Sequence, residues 1–234
     1  MGFKSILCIS DLHIPYEHPD SIQFLKAIKG KYKPDKVISV GDEVDGHAIS
    51  FHNSDPDLFS PGHELELAIK KLKTLYKLFP YLNIVDSNHG SLVYRKQKHA
   101  GLPRSVFKDY NDVLEAPKTW KWSYDLTLPM SDGNKVYICH GKSAQSIKLS
   151  QSLGMATVNG HYHEQFTVQY WANPICLYWS MVVGCLVDDK SLAFEYNNTN
   201  LKRPIIGCGI ILDGQPKLLP MVLNKNGRWI GELK

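Results

Sequence analysis

Five short blocks of metal-ligand residue types, each following or closing an apolar strand-like run, constrain this chain more than any other feature. They read Asp11-Leu12-His13, Gly41-Asp42, Asn88-His89, His140-Gly141 and Gly160-His161-Tyr162-His163. The runs before them are Ser5 to Ile9, Val37 to Val40, Leu82 to Val85, Lys135 to Cys139 and Ala156 to Asn159. Their length and apolar content predict buried strands. Ligands of open α/β sheets bind beyond the carboxyl ends of the strands. A fold that aligns these strands therefore delivers all five blocks to a shared crevice.

Between the strands the periodicity turns helical. Ile22, Leu25, Ala27 and Ile28 follow Pro19-Asp20 in helical register. Ser60-Pro61 offers a capping hydroxyl and a proline tolerated at the first helical position. Leu65, Ala68, Ile69, Leu72, Leu75 and Tyr76 then form one apolar face, and Pro80 ends the helix. Two helical pieces split near Gly101-Leu102-Pro103 are expected next, and a short helix around Ala144 to Leu153. Trp120-Lys121-Trp122 reads as a strand carrying exposed aromatics. After His163, short strands alternate with turn signals such as Asp213-Gly214 and Asn226-Gly227. The order is βαβαβ and then mostly β, which two packed sheets with helices outside satisfy. No linker or repeat interrupts it, so one domain over residues 1–234 is expected.

Composition narrows the function. The net charge of +4 suits an anionic substrate, and no dense Lys/Arg run supplies an extended nucleic-acid track. Lys70, Lys71 and Lys73 read as a solvated helix face. No apolar stretch is long enough to cross a membrane. Cys8, Cys139, Cys176, Cys185 and Cys208 are odd in number, have no CxxC spacing and sit mostly in apolar runs. Buried, reduced thiols are expected rather than a disulfide framework or zinc ribbon. The N-terminus enters a strand-like run at once, without the features of a signal peptide, and a cytoplasmic location is expected.

Each block alone is weak, because a lone His is usually an ordinary hydrogen-bonded residue and Gly-Asp also marks turns. Five in order, each near a strand end, point to metal. Mixed imidazole, amide and carboxylate donors suit Mn, Fe, Zn, Ni or Co better than Ca or Mg. The two oxygens of Asp42 can bridge two cations. A pair of divalent ions can clamp a phosphoryl oxygen and activate water.

The blocks resemble the calcineurin-like metallophosphoesterase superfamily, whose pattern runs D-x-H, G-D-x-x-D, G-N-H-D/E, H before a small residue, and G-H-x-H. The matching residues span 11 to 163. The resemblance implies a four-layer α/β/β/α sandwich of two mixed sheets flanked by helices. It also implies two divalent transition-metal ions, with Mn favoured for activity. By similarity, Asp11, His13, Asp42 and His163 hold one ion, and Asp42, Asn88, His140 and His161 the other. His89 is the catalytic imidazole beside a hydroxide held between the metals. Two departures stand out: Ser87 replaces the usual Gly and Gly90 the usual acid, so either Asp45 or another carboxylate orients His89, or His89 is oriented differently. The two phosphate-gripping arginines of the phosphoprotein-phosphatase branch are replaced by Gly46 and Asp86. Arg95, Arg104, Lys142 and His47 are the candidate substitutes. The run Ser87 to Lys96 is also similar to phage-type enzymes that act on deoxynucleoside 5′-monophosphates, which would place the chain in a host cytoplasm.

The resulting expectation is a phosphomonoesterase on a small phosphorylated substrate, a nucleoside 5′-monophosphate above all. Tyr16, Tyr94, Trp120, Trp122 or Tyr162 are candidates to stack on a base. The loop Glu43 to Ser60, with His47 and His52, and the region Tyr94 to Trp122 are expected to wall the site. A phosphodiesterase, nuclease or cyclic-nucleotide diesterase is the alternative, and a non-catalytic binding module ranks last. The strands after residue 164 leave a dimer open.

Overall fold

The computed structural model describes residues 2–51, 57–191, 193 and 201–233. Its first strand, β1 (Ser5–Ile9), is buried along its whole length. Alternate side chains of β1 enter two different layers. Leu7 and Ile9 pack with Phe24, Leu25 and Leu72. Ile6 and Cys8 pack with Val136, Ile138, Val158 and Met181. A strand covered on both faces has no polar side to show, and after Ser5 its sequence is apolar.

One sheet holds β1, β2 (Lys36–Ser39), β3 (Leu82–Val85), β4 (Trp120–Ser123), β10 (Gly207–Leu212) and β11 (Gln215–Pro220), in the order β11-β10-β1-β2-β3-β4. The pairs β1–β2, β2–β3 and β3–β4 are parallel, and β10 joins β1 antiparallel. The other sheet holds β5 (Leu126–Pro129), β6 (Lys135–His140), β7 (Ala156–Gly160), β8 (Phe166–Ala172) and β9 (Leu177–Val183), in the order β5-β6-β7-β9-β8. There β6–β7 and β7–β9 are parallel, while β5–β6 and β8–β9 are antiparallel. Helices α1 (Ser21–Tyr32) and α2 (Pro61–Leu78) pack on the outer face of the first sheet. Farther along lie α3 (Leu92–His99) and α4 (Tyr110–Val113). Helix α5 (Ser146–Leu153) covers the second sheet, with Ser150 Oγ accepting from Trp171 Nε1 at 2.7 Å. The result is the expected α/β fold of two mixed sheets with flanking helices. Among the described residues no helix is long and apolar enough to cross a membrane.

Local signals act where the sequence placed them. Ser60 Oγ accepts from His63 N–H at 3.4 Å at the start of α2, with Pro61 in the first turn. Asp213 and Gly214, both at positive φ, turn the chain from β10 into β11, as an Asp-Gly hairpin requires. Trp120 departs from expectation. It is fully buried, and its Nε1–H donates to the Phe79 carbonyl at 2.8 Å. The ring closes the α2 end of the core, a role that an alternation pattern does not reveal.

Asp20 precedes α1 but does not cap it. Its carboxylate instead accepts from Arg228 Nε at 2.7 Å and Trp229 N–H at 2.9 Å, tying the C-terminal segment to α1. The Arg228 bond outweighs partial burial and, with Trp229, holds Asp20 down to about 2. A depressed carboxylate stabilises the fold above its unfolded value and loses that effect as pH falls through its folded value. Asp20→Asn is therefore expected to lower Tm at pH 6. The gap to wild type should shrink as pH falls from about 4 to about 2, measured by thermal scans across pH.

Candidate functional site

Parallel strands point their carboxyl ends the same way. The chain leaves β1 into Asp11 and His13, β2 into Asp42, and β3 into Asn88 and His89. In the facing sheet, β6 ends on His140, and β7 leads into His161 and His163. The groups meet at one rim. Donor atoms of Asp11, His13 and His163 lie within 4.8 Å of one another. So do those of His13, Asp42 and His89, and those of Asp42, His140 and His161. Asn88 Oδ1 lies 2.9 Å from His140 Nε2. Every residue the sequence analysis assigned to metal is therefore in one cluster, with His89 beside it.

The backbone is bent to make this possible. Asp11, His13, Asp42 and His161 all have φ between 49° and 76°. Non-glycine residues rarely hold such angles, and strain of this kind gathers at functional sites. Gly160 serves by lacking a side chain. A Cβ there would lie 2.9 Å from Asp11 Oδ2 and collide with Ser10 Oγ.

Imidazole tautomers are fixed from outside the cluster. His140 Nδ1 donates to the Val40 carbonyl at 2.7 Å, which leaves Nε2 toward Asp42 Oδ2 at 3.1 Å. His13 Nδ1 lies 2.7 Å from Asp45 Oδ2, and its Nε2 is 3.7 Å from Asp11 and 3.6 Å from Asp42. Partners of this type are what orient metal-ligating histidines. Burial raises Asp11, but pairing with His13 and the charges of His140 and His163 overcome it and hold the carboxyl well below the usual range. Asp42 is likewise lowered: burial opposes, and His140 outweighs it. Burial works against the charge on His140, yet Asp42 and Asp11 push it up to about 9. His161 is lowered by burial and by the nearby His140.

The departures at 87 and 90 form a pair. Ser87 Oγ accepts from Asp42 N–H and Gly90 N–H, both at 3.0 Å. A Cβ at 90 would sit 3.0 Å from that oxygen and 3.5 Å from Asp86 Oδ1. With Ser at 87, a side chain at 90 presses on that hydroxyl. Of the alternatives for His89, the different orientation holds, and the Asp45 carboxylate is not its anchor. That carboxylate is engaged by His13, and its nearest oxygen to His89 Nδ1 is 4.0 Å away. The Asp45 backbone carbonyl accepts from His89 Nδ1 instead.

A cavity of about 640 Å³ opens over the cluster, lined by His13, Asp42, Asn88, His89, His161 and His163 at its floor. Of the four candidate phosphate partners, His47 and Arg95 line it. Arg104 lines a second cavity with Asp109, Tyr110 and Trp122, and its guanidinium sits 5.4 Å from the Tyr94 ring centroid. Lys142 lines neither of these cavities. It pairs with Asp125 at 2.8 Å, so it is already committed. The candidate stacking aromatics are also elsewhere. Tyr16 and Trp120 are buried, Tyr94 and Trp122 line the second cavity, and Tyr162 Oη bonds the Gly141 carbonyl at 3.2 Å. Ser50 and Phe51 line the metal-side cavity from the loop expected to wall it, and Leu92, Glu164, Lys202 and Arg203 line it unannounced. They sit outside the five blocks, mostly in irregular segments where no periodicity marks a side chain. His52 lies outside the described residues.

The family model for Calcineurin-like phosphoesterase matches residues 4–176. The chain belongs to that family. Among solved structures, it is similar to Vacuolar Protein Sorting 29 from Cryptosporidium parvum at 15% identity and a TM-score of 0.52, covering 100% of this chain and 96% of that one. It is also similar to YfcE, a phosphoesterase from E. coli, at 11% identity and a TM-score of 0.47, covering 97% and 96%. At such identity the first likeness shows the fold. No curated protein matches the chain.

The donor set fits divalent transition metals. Asp11 and Asp42 are at most 1% exposed, and every ion-pair partner of either among the described residues is an imidazole. Imidazole can give up its proton to an ion, whereas Lys or Arg cannot. Gly160→Ala should weaken metal binding by about 10–100-fold, as displacement of ligand-supporting groups does. Calorimetric Mn²⁺ titration alongside circular dichroism checks this. Unchanged affinity in a folded variant would contradict the close packing at Gly160.

Proposed function

We propose that this chain is a dinuclear-metal phosphomonoesterase that acts on small nucleotides, with nucleoside 5′-monophosphates as the favoured class. The observation that carries the reading is the place of Asp42 between the two groups of ligands, 3.6 Å from His13 on one side and 3.1 Å from His140 on the other, under one cavity. Asp11, His13, Asp42 and His163 would hold one ion, and Asp42, Asn88, His140 and His161 the other, with Mn favoured. Bound there, the ions would neutralise phosphoryl oxygens and lower the pKa of water.

The chain's own residues supply the rest. A carbonyl can only accept, so the contact with Asp45 fixes the proton of neutral His89 on Nδ1. Nε2 is then the nitrogen that can take up a proton and deliver it to the leaving oxygen. Acid help of this kind contributes roughly 10²–10⁴-fold. His89 is partly exposed in the cavity, which lets substrate reach it. Phe51 and Leu92 give the wall an apolar portion for a base, and the cavity volume suits a nucleotide. Cys139 takes no part. It is buried, burial pushes its thiol up to about 11, and its Sγ faces Asn159 Oδ1 at 3.6 Å.

A substrate panel with Mn²⁺-loaded protein tests the reading, with phosphate release from nucleoside 5′-monophosphates expected to exceed that from diesters. Activity confined to diesters would reverse it in favour of a phosphodiesterase. His89→Gln should slow turnover by roughly 10²-fold or more while metal stays bound; loss of metal would make His89 a ligand instead. Cys139→Ala should turn over like wild type.

A further inference from the structure

Helix α2 buries Glu64, Ala68, Leu72, Leu75 and Tyr76 and leaves Leu65 36% exposed. An acid therefore heads the buried stripe of the helix, where an apolar side chain would be buried at less cost. A neighbouring segment offsets that cost. Glu64 Oε1 accepts from His47 N–H at 2.8 Å, and Oε2 accepts from Ala48 N–H at 2.9 Å. These are the opening amides of the 3₁₀ turn His47–Ile49, and the Gly46 before it has no side chain to cap them. Helix α3 holds the other end of the segment, where Lys96 Nζ donates to the Ser50 carbonyl at 3.0 Å.

The clamped segment ends on Phe51. Its ring centroid lies 4.1 Å from Lys96 Nζ and 5.3 Å from the Arg95 guanidinium carbon, and the ring meets His99 edge-on at 6.1 Å. Contacts of this kind orient a ring without having to cover it. Phe51 is still 48% exposed, and it lines the same cavity as His13, Asp42 and His89. A large ring held in place, yet open to the cavity that carries the ligand cluster, offers a flat leaving group a surface to stack on. We infer that Phe51 selects substrates whose leaving group carries an aromatic ring, and that Glu64 is a positioning residue that acts through it. This rests on the phosphoesterase reading and adds what the wall recognises.

The test compares Mn²⁺-loaded wild type, Phe51→Ala, Glu64→Ala and the double variant. Each receives a nucleoside 5′-monophosphate and glycerol phosphate, which has no ring. Wild type should favour the nucleotide in kcat/KM. Each single variant should lower that preference by about tenfold, the scale of one stacking contact, and should do so through KM. The double variant should fall no further than either single one, because both substitutions remove the same contact. Circular dichroism establishes that the variants are folded. Should Glu64→Ala not fold, Glu64→Gln keeps the shape and one accepting oxygen, and is expected to lower the preference by less; a folded Glu64→Gln that matches wild type contradicts the inference. Wild type without a preference for the nucleotide, an equal loss on both substrates in the Glu64 variant, or losses that multiply in the double variant would overturn it. No phosphate release from either substrate would overturn the phosphoesterase reading instead. Calorimetric binding of the nucleotide then decides the wall alone, and equal affinity in wild type and both single variants counts against it.

Discussion

Asp11 and Asp42 are buried carboxylates whose ion-pair partners among the described residues are all imidazoles. Unpaired charge in such a place is costly, and pairing has to be close to offset it. Here the partners come from one strand end of the first sheet, which carries His13, and two of the second, which carry His140 and His163. The two sheets must therefore face each other with their parallel strands ending at the same rim. The fully buried β1 and the core residues of β6, β7 and β9 between the sheets fix that relation. The positive φ angles at Asp11, His13, Asp42 and His161 are what the backbone adopts to turn the side chains inward.

The same site shows how a family pattern can change without losing its geometry. Ser87 and Gly90 are coupled through one hydroxyl, which accepts from the amides of both Asp42 and Gly90. That bond links β2's loop to β3's loop, and it crowds a side chain at 90. His89 is then held by a backbone carbonyl, while the Asp45 carboxylate serves His13. A carbonyl only accepts, so neutral His89 is oriented with its proton on Nδ1. One residue's backbone and side chain thus support two imidazoles.

How much of this was legible in the sequence depended on what each residue has to do. Buried strands with short exits advertise themselves, because β1 reads apolar from Ile6 to Ile9 and Asp11-Leu12-His13 follows after Ser10. The start of α2 was legible because Ser60 caps it locally. Trp120 was not, since the same aromatic residue in a strand can face water or core, and only the packing of α2 against the sheet decides. Lys142 was a reasonable phosphate partner by its position after His140, yet Asp125 across the β5–β6 pair claims it. Lys202 and Arg203 lie about forty residues past the last block. Their place depends on a backbone bond from Ile205 to His163, which no side-chain pattern encodes. Ligand positions follow from strand ends, whereas the substrate wall comes from irregular segments folded over them.

Anomalous X-ray scattering from crystals of Mn²⁺-loaded protein measures the convergence itself. Two peaks per chain are predicted, one against Asp11, His13 and His163 and one against Asn88, His140 and His161, with Asp42 touching both. A single peak away from Asp42, or none at all in a crystal grown at saturating Mn²⁺, would contradict the account.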